Sequence, residues 1–185
     1  MSVGESPLEE TEVGLVPTAP GWFVLNARDA PWFVRNGRGH LCEFESFDGR
    51  CNFEQLGINI TVLGDGEPMS MYHWEADQED FLVVAGEAVA IVEGEERQLR
   101  AWDLLHCPAG TEHTIVGAGP TPCVIVAVGA RTRSTGPDWG AYTVDDAAQR
   151  HGAGVAEATT DPKVAYARFG SPSRRVRYPD GLLPD

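Results

Sequence analysis

The run Tyr72-His73-Trp74-Glu75-Ala76-Asp77-Gln78-Glu79-Asp80-Phe81 is followed about thirty residues later by Pro108-Ala109-Gly110-Thr111-Glu112-His113, and these two strings are the densest in groups that bind metal or move protons. Residues two apart on a strand share a face, so His73 and Glu75 point the same way and Glu79 can return on the next strand. His113, just past a Pro-x-Gly turn, can close the set. Two imidazoles with one or two carboxylates suit a divalent ion, Fe, Mn, Ni or Zn, bound once per chain, and two histidines plus one carboxylate leave positions open for substrate or oxygen. The alternative is that both histidines are satisfied by neighbouring protein groups and that Glu75, Asp77, Glu79 and Asp80 form a solvated turn, which is the reading expected of Asp77 and Asp80.

These residues sit in a chain of short apolar runs broken by turn residues: Trp22–Leu25, His40–Phe44, Leu56–Leu63, Met69–His73, Phe81–Val84, Ala88–Val92, Leu104–Cys107, Thr114–Val116 and Val124–Val128. Strands of this length and spacing imply an all-β antiparallel sandwich or barrel over residues 20–130. Glu93-Gly94 reads as a hairpin turn between an apolar strand and the polar Glu95–Arg100. Residues 1–19 form an acidic arm with little apolar periodicity, expected to stay mobile unless a partner ties it down. Residues 131–185 carry one helical signal, with Thr143 as cap, Asp145 and Asp146 in the first turn and Gly152 as stop, and then an extended tail. Val144, Ala147, Ala148 and His151 share a helical face that would pack on the barrel or on a partner.

The 185 residues carry 28 acidic and 14 basic side chains, a formal charge of −14, and Lys163 is the only lysine. A polyanion such as nucleic acid is therefore excluded as a natural partner. No run approaches the roughly 20 apolar residues a membrane span needs, and the acidic start is unlike a secretory leader, so a cytoplasmic protein is expected. Cys42, Cys51, Cys107 and Cys123 form no C-x-x-C pair and are expected to be reduced and partly buried.

From Gly66 to Gly129 the sequence resembles the cupin superfamily. The family's first motif is G-x5-H-x-H-x3,4-E-x6-G, and His73, Glu79 and Gly86 match its first histidine, its glutamate and its closing glycine. Glu75 stands where the second histidine is usual, and the opening glycine is offset by one at Gly66. The second motif, G-x5-P-x-G-x2-H-x3-N, is matched by Pro108, Gly110 and His113, with Trp102 in place of its first glycine and Gly117 in place of its asparagine. The local string is most similar to the 3-hydroxyanthranilate dioxygenase family, in which a histidine, a glutamate six residues on and a later histidine bind iron. His73, Glu79 and His113 match those ligands, and Glu75 matches a glutamate beside the metal. That family's substrate-gripping arginine corresponds to Met69 here, and its C-terminal cysteine-rich metal site has no counterpart, so the substrate does not carry over.

The resemblance implies a jelly-roll β-barrel with a short C-terminal helix and extended tail, and a homodimer. The expected function is a metal-dependent enzyme on a small organic molecule, with oxygen insertion first among reactions and isomerisation or decarboxylation open. Glu75 is then a fourth metal ligand or the catalytic acid/base. A non-catalytic small-molecule-binding or sensor cupin is the alternative. Met69, Met71, Phe81 and Val83 share the ligands' inward parity and would wall the pocket. His106 is expected in the core or behind a ligand, Cys107 and Cys123 as inert thiols, and Arg97 and Arg100 on a solvent-facing hairpin.

Overall fold

The structure, a computed structural model, describes residues 2–47, 49–133, 138–170 and 173–184. Strands dominate: β1 Leu8–Thr11, β2 Gly14–Pro17, β3 Trp32–Val34, β4 His40–Phe44, β5 Leu56–Leu63, β6 His73–Glu75, β7 Glu79–Ala85, β8 Glu87–Val92, β9 Glu95–Arg100, β10 Leu104–Cys107, β11 His113–Ala118, β12 Cys123–Ala130, β13 Gly140–Tyr142 and β14 Arg174–Val176. Two short helices, α1 Asp146–Arg150 and α2 Pro162–Ala165, and a 3₁₀ turn at Ala167–Phe169 fall in the C-terminal third. A seven-stranded sheet in the order β10-β7-β12-β5-β4-β3-β14 faces a five-stranded sheet in the order β13-β6-β11-β8-β9, and every pairing within each is antiparallel. Two antiparallel sheets packed face to face in this way make a jelly roll.

Alternation puts Leu63, Phe81, Val83 and Ile125 on the inner face of the larger sheet and Ala88, Ala90 and Ile115 on that of the smaller, where they form one buried cluster. Both outer faces are also covered. The C-terminal segment lays α1 over Val89, Ile91 and Val116 through Ala147 and Ala148, and the tail residues Tyr178, Leu182 and Leu183 cover Trp32, Cys42, Val62 and Val124. That double cover explains why β8 reads as a continuous apolar run rather than an alternating one. The Glu93-Gly94 turn has φ of 49° and 77°, the left-handed pair a tight hairpin needs, and β9 is a charged, exposed edge.

Several local expectations change. The acidic arm holds the β1–β2 hairpin, because the chain itself supplies ties: Glu9 pairs with Arg50 and Glu10 with Arg177. Trp22–Leu25 is no strand, since Trp22 makes only an isolated bridge to Glu5 and its neighbours find no partner. The run at Met69 becomes regular only at His73, as Pro68 cannot donate to a ladder. The cap of α1 is Asp145, whose side chain accepts the Ala148 N–H at 2.7 Å, and not Thr143; Val144 is exposed and only Ala147 and Ala148 of the predicted face are buried. Among the described residues no helix is long and apolar enough to cross a membrane.

Candidate metal centre

Strands β6 and β11 place His73 directly opposite His113, with ring centroids 4.9 Å apart. The turn before β11 is anchored to β6, because the Gly110 N–H donates to the Glu75 carbonyl at 2.8 Å. Each imidazole is fixed by the same device: His73 Nδ1 donates to the Met71 carbonyl at 2.8 Å, and His113 Nδ1 to the Thr111 carbonyl at 3.0 Å. A carbonyl can only accept, so Nδ1 carries the hydrogen in both rings and Nε2 is the atom turned toward the barrel interior. Glu79, first residue of β7, brings Oε2 to 3.3 Å from His113 Nε2 and 4.0 Å from His73 Nε2.

Among the described residues, His73, Glu79 and His113 are the group that could hold a metal ion, their ligand atoms lying within 4.8 Å of one another. The donor set fits such an ion on a second ground. Glu79 Oε2 and His113 Nε2 are buried and make no hydrogen bond, although they lie 3.3 Å apart. Buried polar atoms are rarely left so, and two aimed at one point are accounted for by a shared ligand. Glu75 follows His73 on the same face, with Oε1 3.7 Å from His73 Nε2 and Oε2 also buried without a partner. It stands beside the ligand trio rather than within it.

Electrostatics bind the trio together. Burial opposes a negative Glu79, yet His113, His73 and Arg131 outweigh it and hold the carboxyl below its ordinary range. Burial likewise opposes a charge on His113, but Cys107 and Glu79 push it up to about 10. Without metal the pair is therefore a carboxylate and an imidazolium, and an ion at Nε2 would replace the proton.

The walls are partly as expected. Phe81 packs its ring 5.2 Å from His113, and Val83 and Met69 line the same core. Met71 instead joins a C-terminal cluster with Tyr142, Val155 and Ala165. His106 is neither in the core nor behind a ligand; it is largely exposed and pairs with Asp80 at 2.6 Å, so Asp80 is also engaged. The Asp77 carboxylate is buried, where a solvated turn was expected, and accepts the Arg133 N–H at 2.5 Å. Arg97 and Arg100 lie on the exposed β9, as their hairpin implied. Cys107 and Cys123 are buried, free thiols, and burial pushes Cys123 up to about 11.

Sequence reasoning missed Arg131, Trp139, Tyr142 and Tyr166. Tyr142 and Trp139 stack 5.8 Å and 6.3 Å from the His73 ring, brought there by the pairing of β13 with β6. Arg131 pairs with Glu45 and crosses Gly57 and Gly129; a Cβ at Gly57 would lie 2.2 Å from its guanidinium. The signal available was the two glycines inside strands, which mark a close approach.

Residues 59–129 match the family described as Cupin domain. The match spans β5 to β12 and contains all three converging residues, and it supports the cupin superfamily for this segment. No curated protein matches the sequence. Among solved structures, a sugar phosphate isomerase of the cupin superfamily from Silicibacter pomeroyi is 25% identical over 62% of this chain and 70% of its own, with a TM-score of 0.46. A protein described as a sugar phosphate isomerase from Acidithiobacillus ferrooxidans is 19% identical over 50% of this chain and 60% of its own, with a TM-score of 0.44. A DMSP lyase from Ruegeria pomeroyi is 21% identical over 45% of this chain and 42% of its own, with a TM-score of 0.40. The chain thus spans less than two thirds of the latter two.

Proposed function

We propose that the protein is a metal-dependent enzyme acting on a small organic molecule inside the barrel, with His73, Glu79 and His113 holding one Fe, Mn, Ni or Zn ion. The observation that carries this reading is the pair of imidazoles locked through Nδ1, whose Nε2 atoms converge on an otherwise unpartnered Glu79 oxygen. A divalent ion there supplies Lewis acidity and open coordination positions. The chain's own residues do the rest. Glu75, half-buried and with Oε2 unpartnered, is placed to take or return a proton on the substrate face of the site. Phe81, Trp139 and Tyr142 keep water from that face. Oxygen insertion of the 3-hydroxyanthranilate dioxygenase type comes first, because three ligands leave room for two further molecules; isomerisation and decarboxylation use the same residues.

The test is elemental analysis of untagged protein purified without chelator, beside His113→Ala prepared identically. One transition metal per chain, lost in the variant, is the expected result, and iron directs the next assay to oxygen uptake. Absence of metal from both proteins would leave a non-catalytic binding barrel as the better account. The proposal includes a cytoplasmic homodimer, checked by mass measurement in solution.

A further inference from the structure

The β3–β4 hairpin turns through Arg35-Asn36-Gly37-Arg38-Gly39. Arg35 N–H donates to the Gly39 carbonyl at 2.9 Å, and Arg38 N–H to the Arg35 carbonyl at 3.0 Å. Gly37 and Gly39 take φ of 64° and 65°, and a Cβ at Gly39 would lie 2.1 Å from the Val62 carbonyl oxygen. The turn therefore sits tight on β5, and its two arginines are held close together. Arg35 is only 7% exposed, and its guanidinium makes one hydrogen bond, from NH1 to the Met69 carbonyl at 3.2 Å. Its Nε and NH2 are buried without partners, and so is Nε of Arg38. Neither arginine has a carboxylate in ion-pair range among the described residues. Glu67, one of the acids nearest Arg35, spends its Oε2 on the Gly64 N–H at 2.8 Å.

A guanidinium cannot escape burial by losing its proton. Burial and the neighbouring Arg38 lower Arg35 to about 10, which leaves it charged at neutral pH. Two adjacent cations, one of them buried, with three donors unused, are a standing cost that a folded chain does not keep for packing alone. An oxyanion removes it, since carboxylate and phosphate match the arginine fork.

A chain of packed aromatic rings links the arginines to the metal centre. Arg38 stacks its guanidinium 4.2 Å from the Tyr166 ring centroid; Tyr166 packs 5.5 Å from Tyr142, and Tyr142 lies 5.8 Å from His73. The Met69 and Met71 carbonyls, two residues apart, hold Arg35 at one end and His73 at the other. We propose that Arg35 and Arg38 form the anion-binding end of the pocket and take a carboxylate or phosphate group of a substrate whose reacting end lies at His73, Glu79 and His113. The substrate assignment rests on the metalloenzyme reading, whereas the anion site does not.

The experiment is thermal melting of the full chain, stripped of metal with EDTA, in inorganic phosphate or acetate, against chloride at equal ionic strength. In wild type at least one oxyanion raises Tm with its concentration while chloride does not. Phosphate alone, acetate alone, or both tells a phosphate ester from a carboxylate. Arg35→Met loses the response and melts at or above the wild-type temperature without anion, because a buried unpaired charge has been removed. Arg38→Met folds with its hairpin intact and shows a weakened response. An absent wild-type response, a response kept in Arg35→Met, or a lower melting temperature of that variant overturns the proposal. Metal content measured on the same variants, prepared without EDTA, is expected to stay at the wild-type level; metal absent from wild type with the phosphate response present would sink the enzyme reading and leave the anion site standing.

Discussion

His73 and His113 face each other across β6 and β11, and each donates its Nδ1 hydrogen to the carbonyl two residues before it in the chain. The symmetry is local and backbone-made, so the orientation of both rings survives changes in surrounding side chains. Replacing Glu75 by Gln should therefore leave the metal in place. The expected result is an unchanged metal-to-protein ratio by elemental analysis with turnover reduced about 100-fold or more. Loss of metal from Glu75→Gln would instead make Glu75 a ligand.

Metal binding should be strongly pH-dependent. Burial opposes the His113 charge, but Cys107 and Glu79 raise it from 6.5 to about 10, so the empty site holds a proton that a metal must displace. Affinity is expected to rise roughly tenfold per pH unit between about pH 7 and 9. Calorimetry in buffers of different ionisation heat should report about one proton released. The sign for stability follows: a raised imidazole pKa contributes stability that is complete below 6.5 and lost as pH climbs through about 10. Metal-free protein should accordingly weaken across that window, and a pH-independent metal affinity contradicts the assignment.

Trp102 occupies the position of the second cupin motif's first glycine, and its φ of 77° shows why a glycine is usual there. Its N–H donates to the Val83 carbonyl at 2.7 Å, which holds the conformation, while the indole is 75% exposed. Relief of left-handed strain should outweigh the little burial lost, so Trp102→Gly is expected to raise stability by about 1 kcal/mol. Denaturant unfolding measures it, and a lower midpoint at unchanged slope refutes it.

All four cysteines are buried, and desolvation pushes Cys42 up to about 12 and Cys123 to about 11. Thiolate is the reactive form, so neither should react with a disulfide reagent in native protein at pH 8. Four thiols should titrate after denaturation. Rapid native labelling of Cys123 would show that β12 opens far more readily than its pairing with β5 and β7 implies.

The bounds of β4, β5 and β10 were legible because each is a compact apolar run between turn residues, and the convergence of His73, Glu79 and His113 was legible because spacing and residue type coincide. β3, β13 and β14 escaped notice because three residues carry too little period to count. The cap at Asp145 was misplaced by two residues, since Thr143 has the same local chemistry. Arg35 was invisible for a different reason. Nothing near it in sequence announces burial, which comes from Met69 and from Tyr166 at the far end of the chain.

The pairing of β14 with β3 also has a meaning for synthesis. Arg174 to Val176 lies against Val34 to Trp32, so one edge of β3 stays bare until residues 174–176 have left the ribosome. The three converging residues emerge by position 113, but the aromatic roof of Trp139, Tyr142 and Tyr166 arrives later. A nascent chain, or one clipped before residue 139, thus exposes an unpaired strand beside a half-built site, and residues 139–176 close first the site and then the strand.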